Sequence, residues 1–146
     1  MTDAGPQPRT SSDGREMDLD VGGLHLTASF RGAGATLRVY GPAGGRLKEL
    51  LRFDDFVDAP HYHVPADDPP ISFDEVKLGE PLAWFVAQIR DHLGEMLTTA
   101  GFSDVVAVVD LRAVADSAET IRKMMVDCVP AGYVRAPGLG LRRANA

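Results

Sequence analysis

Residues 24–40 read LHLTASFRGAGATLRVY, and two alternating segments in this stretch decide the fold. Apolar side chains occupy every second position on both sides of a glycine-containing link: Leu24, Leu26, Ala28 and Phe30 before it, and Leu37 and Val39 after it. A period of two residues is typical of strands that bury one face. Because the glycines of RGAGA allow a turn, the stretch predicts an antiparallel hairpin.

The same pattern extends the sheet towards the C-terminus. The segment GPAGG supplies a second turn, after which a third strand is predicted at about residues 48–56. A fourth strand is predicted around residues 61–64, and a short extended piece follows at 71–76. We therefore expect a small antiparallel β-sheet of about four strands in the N-terminal half.

Alternation within the third strand assigns its side chains to two faces. The first face carries Leu51, Phe53 and Asp55, and the second carries Leu50, Arg52, Asp54 and Phe56. If the first face is the core, Asp55 is half-buried and needs a partner, since an unpaired carboxylate is costly to bury. We expect an arginine to form a salt bridge with Asp55.

The apolar period changes to that of a helix after Gly79. Seven apolar residues follow the spacing i, i+3, i+4, i+7: Leu82, Phe85, Val86, Ile89, Leu93, Met96 and Leu97. One long amphipathic helix is predicted over 81–99, with Pro81 in its first turn and Gly101 beyond its end. Strands first and helices second indicate α+β architecture, in which the C-terminal helices cover one face of the sheet.

A second helical region is predicted beyond Gly101. We expect Ser103 to cap its first segment and the region to break or bend near Asp110. Its apolar stripe alternates by three and four residues: Leu111, Val114, Ala118, Ile121, Met125 and Cys128. We expect this stripe to pack within the chain, although packing across a two-fold axis would make a homodimer.

Both ends of the chain lack periodicity. Residues 1–16 are rich in proline, serine, glycine and charge, and residues 130–146 combine glycines and prolines with three arginines and no acid. Such segments bury too little apolar surface to offset their ordering entropy. We therefore predict a disordered arm at 1–16, a single α+β domain at 17–129 and a flexible basic tail at 130–146.

Charge and composition narrow the classes of function. Residues 17–129 hold 18 acids against 10 bases, so this part of the chain would repel a nucleic-acid backbone. The apolar runs are too short to span a membrane, and the N-terminus lacks the apolar stretch of a secretory signal. A single cysteine cannot form an intramolecular disulfide. We expect a cytoplasmic protein that binds neither nucleic acid nor membrane.

The segment 50–70, LLRFDDFVDAPHYHVPADDPP, concentrates five aspartates and two of the four histidines. On a strand, His61 and His63 point to the same side with Cα atoms about 6.5–7 Å apart, so their imidazoles could share one metal ion. Such sites usually add a carboxylate or a third histidine. Asp54, Asp58 and His25 are candidates for that third ligand, and the ion would be divalent zinc or iron.

The same segment also fits a metal-free site. In that case an aspartate such as Asp54 orients His61 or His63 for proton transfer, and a small-molecule substrate is polarised by Tyr40, Tyr62 or Arg52. The spacing of these residues does not separate acid–base chemistry from metal binding. It also leaves open whether the protein is an enzyme.

An alternative of another class is a non-catalytic accessory module that contacts another protein. Eight of the 18 acids lie between residues 54 and 80, where Lys77 is the only base. An acidic loop of this kind would form the contact surface together with an exposed helix face. The partner is thus either a small molecule or another protein.

Four segments carry a resemblance to other proteins: LLRFDDF, PHYHVP, PLAWFVAQIRDHL and AGFSDV. With them the chain resembles a bacterial domain family of unknown function, whose members carry Leu-Arg-Phe-Asp, then Pro-His-Tyr-His, then a helix with a tryptophan. The resemblance covers about residues 17–129. It implies that Arg52, Asp54, His61, Tyr62 and His63 belong together, and it implies no particular activity or cofactor.

Overall fold

The structure, a computed structural model, describes residues 5–135 and 139–144. Nine strands and six helices lie in these ranges. In chain order the strands are β1 (Arg9–Thr10), β2 (Glu16–Val21), β3 (Leu24–Arg31), β4 (Gly34–Ala43), β5 (Arg46–Phe56), β6 (His61–His63), β7 (Ile71–Ser72), β8 (Tyr133–Arg135) and β9 (Leu141–Arg143). The helices are α1 (Glu75–Leu78), α2 (Pro81–Asp91), α3 (Leu93–Thr99), α4 (Ser103–Val106), α5 (Leu111–Asp116) and α6 (Ala118–Asp127).

The first seven strands form one antiparallel sheet whose spatial order equals their order in the chain. The predicted hairpin is confirmed, because β3 pairs with β4 along its length. The predicted number of about four strands is wrong, since the sheet also includes β1, β2 and β7. Met17, Leu19 and Val21 show the strand period in β2, but β1 and β7 have two residues each and are too short to show any period.

A β-bulge near the start of β5 alters the register of this strand with β4. Val39 pairs with Leu51, but the next residue, Tyr40, pairs with Glu49. Leu50 is therefore the extra residue on β5, and such an insertion re-aims the neighbouring side chains. The regular alternation predicted for the start of this strand is interrupted at that point.

The bulge reverses the predicted position of Leu50. Its side chain is fully buried instead of sharing the face of Arg52. A Cβ at Gly41 on β4 would lie only 2.7 Å from Leu50 Cδ1, so Leu50 occupies space that a side chain at position 41 would need. The bulge also turns Glu49 to the face of Arg52, with which it forms hydrogen bonds.

The core lies between the sheet and the helices. Helices α2, α4 and α6 pack on strands β3 to β5, as α+β architecture predicts. The largest fully buried side chains come from both layers and include Leu26, Leu37, Phe53, Phe85, Ile89 and Ile121. The opposite side of β3 to β6 carries polar side chains instead, and we call it the polar face.

The prediction of a single helix over 81–99 is wrong, because the segment is interrupted at one residue. His92 leaves the helical conformation (φ −134°, ψ 14°) and divides the segment into α2 and α3. A Cβ at Gly94, two residues later, would lie 3.0 Å from Leu111 Cδ1 of α5. The direction of α3 thus depends on close packing against another helix, which the apolar period does not encode.

The second helical region follows its predicted break but not its predicted cap. Asp110 Oδ1 accepts a hydrogen bond from the N–H of Ala113 at 3.0 Å and begins α5, so the break near Asp110 is confirmed. Ser103 does not cap α4, whose N-cap is Phe102 without a side-chain hydrogen bond. The apolar stripe from Leu111 to Cys128 packs into the core of the same chain. None of the helices in the described ranges is long and apolar enough to cross a membrane.

Strands also lie in both end segments for which the sequence predicts no regular structure. In the predicted arm, Arg9–Thr10 pairs with β2. In the predicted tail, β8 and β9 form a hairpin, Leu141 is buried in the core, and the rings of Tyr133 and Phe30 are 4.9 Å apart. Residues 1–4, 136–138 and 145–146 of these two segments lie outside the described residues.

Candidate metal centre

Strands β5 and β6 carry the main candidate residues on the polar face. The antiparallel register places His61 opposite Asp54 and His63 opposite Arg52. The two-residue period sends both histidines to one side of β6 and Tyr62 to the other. Asp54, His61 and His63 are therefore brought together by the pairing of two neighbouring strands, and we call them the Asp-His-His cluster.

One carboxylate oxygen connects the Asp-His-His cluster. Asp54 Oδ2 lies 3.0 Å from His61 Nε2 and 3.4 Å from His63 Nε2. Three ligand atoms, one from each residue, all lie within 4.8 Å of one another. The side chains of Asp54, His61 and His63 are 4%, 20% and 11% exposed. The cluster is thus compact enough to hold a metal ion and is shielded from most of the solvent.

Backbone carbonyls fix the proton position on both imidazoles. His61 Nδ1 lies 2.9 Å from Ala59 O, and His63 Nδ1 lies 2.7 Å from Asp68 O. A carbonyl oxygen only accepts, so each Nδ1 carries a proton. In the neutral imidazole, each Nε2 then directs a lone pair at Asp54 Oδ2, which is also an acceptor. Three acceptors at this spacing repel one another unless a cation lies between them, either a metal ion or the second proton of a charged imidazole.

The carbonyl that orients His61 belongs to a strained residue. Ala59 has a backbone φ of 56°, a value that residues with a Cβ rarely adopt. Such a conformation costs about 1–3 kcal/mol and persists only where the surrounding structure enforces it. In this conformation Ala59 O accepts the hydrogen bond from His61 Nδ1.

Thr36 belongs to the site and was missed by the sequence analysis. Its hydroxyl donates a hydrogen bond to Asp54 Oδ1 at 2.7 Å, and Thr36 is directly opposite Asp54 in the pairing of β4 with β5. This hydrogen bond holds the carboxylate so that Oδ2 faces the two imidazoles. Partners of this kind orient ligands at metal sites. The signal that could have found Thr36 is its cross-strand register with Asp54.

Two predicted metal ligands lie outside the cluster. His25 is on β3, three strands and about 14 Å from β6 by ordinary strand spacing, and its Nδ1 lies 2.7 Å from Asp20 Oδ1. Asp58 is 85% exposed, and its Oδ2 lies 3.5 Å from Arg143 Nη1. The fold does not bring either residue to the paired segments of β5 and β6, and each contacts a residue outside the cluster instead.

The two remaining candidate residues lie on opposite faces. Tyr62 is on the core side, where its ring is 5.0 Å from that of Trp84 and burial raises the pKa of its phenol. Arg52 is on the polar face beside His63, and hydrogen bonds to Glu49 raise the pKa of its guanidinium. Arg52 can therefore contact a molecule bound at the cluster, whereas Tyr62 packs β6 against the helical layer through Trp84.

The sequence was compared with known families and proteins. The family model for a domain of unknown function, DUF7700, matches residues 13–125. The chain belongs to this family. No curated protein and no solved structure matches the chain.

The DUF7700 match agrees with the expectation of a domain family of unknown function. It begins before β2 and ends within α6, so it contains the whole Asp-His-His cluster and Thr36. The hairpin of β8 and β9 lies beyond the matched residues. The candidate site therefore lies within the part of the chain that matches DUF7700.

A second carboxylate of the DUF7700 domain lies next to the cluster in sequence but on the core side. Asp55 is fully buried, and its Oδ2 lies 2.5 Å from Arg135 Nη1 of β8. The predicted salt bridge to an arginine is thus confirmed. Arg135 Nη1 also lies 3.6 Å from Glu80 Oε1, and the contact between Asp55 and Arg135 is an ion pair without hydrogen-bond geometry. Desolvation accordingly raises the pKa of Asp55, although the charge of Arg135 opposes the shift.

Proposed function

We propose that Asp54, His61 and His63 bind one divalent zinc or iron ion and that a small molecule binds beside it on the polar face. Two histidines and one carboxylate form a donor set used by metal centres that act on small molecules. Three protein ligands leave further positions for water or for that molecule. When bound, the ion would act as a Lewis acid towards the small molecule or towards a water.

The observation that carries the proposal is the arrangement of the three acceptor atoms. Both Nδ1 atoms donate to backbone carbonyls, and both Nε2 atoms face Asp54 Oδ2. Metal-binding histidines commonly donate their second ring nitrogen to a carbonyl or carboxylate in this way. The outer hydrogen bonds of a metal site therefore accompany all three ligands, including the bond from Thr36 to Asp54.

Elemental analysis of untagged protein purified without chelator tests the proposal. We expect near-stoichiometric zinc or iron in the wild type and its loss in the double variant His61→Ala/His63→Ala. A matched control is His25→Ala/His92→Ala, which removes two histidines outside the cluster and should keep the metal. Absence of metal from the wild type, persisting after reconstitution with zinc and with iron(II), would contradict the proposal and favour charged imidazoles paired with Asp54.

Thermal unfolding provides a second readout on the same three proteins. Because an ion that binds only the native state stabilises it by mass action, added metal should raise the melting temperature of the wild type and of the control. At a metal concentration of 100 times the dissociation constant, the gain is about 2.7 kcal/mol. An equal rise in the His61→Ala/His63→Ala variant would place the bound metal elsewhere.

A further inference from the structure

The cross-strand row that contains His63 carries one arginine on β5 and one on β4. His63 pairs with Arg52 on β5, and Arg52 pairs with Arg38 on β4. Residues paired across neighbouring antiparallel strands project to the same face, and each strand adds about 4.8 Å. The two guanidinium groups therefore extend the polar face from the edge of the Asp-His-His cluster.

The two arginines share one acid. Arg52 donates from Nε and Nη2 to both oxygens of Glu49, each at 2.8 Å. Arg38 Nε lies 3.4 Å from Glu49 Oε2, and its Nη1 lies 3.4 Å from the hydroxyl of Ser29. Among the described residues, Arg38 thus has no hydrogen bond or ion pair shorter than 3.4 Å. It is held loosely, with donor capacity to spare.

With a divalent ion at the Asp-His-His cluster, the charge count would make this spot positive within an acidic domain. Arg38 and Arg52 contribute two positive charges against the one negative charge of Glu49. A divalent ion at the cluster would exceed the charge of Asp54 by one as well. With the ion bound, the site would thus be positive, although the whole chain has a net charge of −6.

We infer that the small molecule of the proposed function carries a carboxylate, which binds Arg38 and Arg52 while a second polar group reaches the Asp-His-His cluster. A guanidinium presents a planar fork of donors that matches a carboxylate. Glu49 already shows that a carboxylate fits against both arginines at this place. The inference rests on the proposed function for the metal end of the molecule and on the arginine row for the anionic end.

The arginine row is tested by binding of glycolate, a small carboxylate with a hydroxyl group, to the full-length zinc-loaded protein. The readout is the NMR signals of the arginine Nε–H groups, which report contacts at Arg38 and Arg52 directly. We expect glycolate to shift both signals saturably and ethylene glycol, its neutral counterpart, to shift neither. Absence of any shift at these two arginines in the zinc-loaded protein would overturn the inference.

Two variants are expected to change glycolate binding in opposite directions, and a third serves as the control. Arg38→Gln should weaken glycolate binding by about tenfold or more, as expected for loss of a charge-assisted hydrogen bond. Glu49→Gln should strengthen binding by about tenfold, because it frees both guanidinium groups from their competing acid. Arg122→Gln is the matched control: Arg122 pairs with Glu119 on α6, in the helical layer on the other side of the sheet, so binding should not change.

The outcomes separate the inference from the proposed function. If the wild type binds metal but glycolate affinity is the same in all variants, the arginine row is not an anion site and the metal centre remains. If glycolate binds with the expected dependence on Arg38 and Glu49 but no metal binds, the anion site stands and the metal centre is wrong. Tighter binding of inorganic phosphate with the same dependence would overturn the choice of a carboxylate in favour of a phosphate group.

Discussion

Asp54 and Asp55 are neighbours in the chain but face opposite sides of the sheet. Asp54 on the polar face accepts a hydrogen bond from Thr36 and faces two imidazoles. Asp55 on the core side is paired with Arg135 and packed under the helices. The strand period separates them, so one carboxylate belongs to a candidate metal centre and the other to the joint between the sheet and the C-terminal hairpin.

The comparison shows how the surroundings of an acid determine its role. Both side chains are almost completely buried, at 4% and 0% exposure. Around Asp54, three acceptor atoms converge on one point, namely Asp54 Oδ2 and the Nε2 atoms of His61 and His63. This arrangement suits the binding of a cation. Around Asp55, Arg135 offsets part of the desolvation and also pairs with Glu80 at 3.6 Å. Asp55 belongs to no group of three ligand-type residues in the described ranges. Burial alone therefore does not identify a site.

The largest change in the free energy of unfolding is expected from Asp55→Ala. Removing the acid takes from the mostly buried Arg135 its shorter ion pair and leaves Glu80 at 3.6 Å. Breaking a buried pair typically costs about 3–5 kcal/mol. Urea unfolding should show a loss of that size, with metal content per folded protein unchanged. Asp58→Ala removes a highly exposed acid as the control and should cost about 0.5 kcal/mol or less. A loss below 1 kcal/mol in Asp55→Ala would mean that the joint does not depend on the pair.

Thr36→Val should act on the other aspartate. Valine keeps the size of the side chain but cannot donate to Asp54 Oδ1, so the carboxylate loses its orientation. Loss of such a partner typically weakens metal binding by about 10–100-fold, or about 1.4–2.7 kcal/mol. Competition with a metal-sensitive dye measures the affinity. Ser11→Ala, which removes an exposed hydroxyl remote from the cluster, should leave it unchanged.

The pH dependence of the unfolding free energy should reveal the buried state of Asp55. Burial raises the pKa of Asp55 above its ordinary value of 3.8, so between the raised value and 3.8 the native state binds a proton that the unfolded state does not. Stability contributed by this residue therefore increases as the pH falls through that window, by about 1.4 kcal/mol for each unit of pKa difference. Urea unfolding of the wild type relative to Asp55→Asn measures it. A difference that is independent of pH would contradict the raised pKa.

The smallest effect is expected from His25→Gln. His25 is paired with Asp20 near the surface and lies three strands away from the cluster. Pairs of this kind contribute about 1 kcal/mol or less. We expect an equally small change in unfolding free energy and full metal content by elemental analysis. Loss of metal from this variant would show that the cluster needs a residue which the fold places at a distance.

The β3–β4 hairpin and the apolar stripes were predictable because they depend on local periods. The faces of Leu37, Phe53 and Ile121 follow directly from spacing along the chain. The His61-x-His63 pair was predictable for the same reason, since two residues on one strand share a face. Asp54 was among the candidates because it lies on β5, the strand that comes directly before the one with the two histidines.

The remaining parts of the site depend on register between strands. The extra residue Leu50 shifts the pairing of β4 with β5, so counting from the preceding turn gives the wrong partners for Thr36 and Arg38. The same bulge brings Glu49 to the polar face, contrary to simple alternation. His25 was a reasonable candidate by residue type, but its distance from β6 depends on the order of strands in the sheet. A local pattern cannot supply that order.

The meander of seven strands has a consequence for how the protein folds. Each strand pairs with the one that precedes it in the chain, which gives the sheet a low contact order for a β-structure. Chains with short loops between contacting residues close them at little entropic cost and fold quickly. During synthesis, β2 to β6 can pair one after another before the last helix is made. The donor atoms of the candidate centre would then assemble early, ahead of the helical layer that later covers the opposite side.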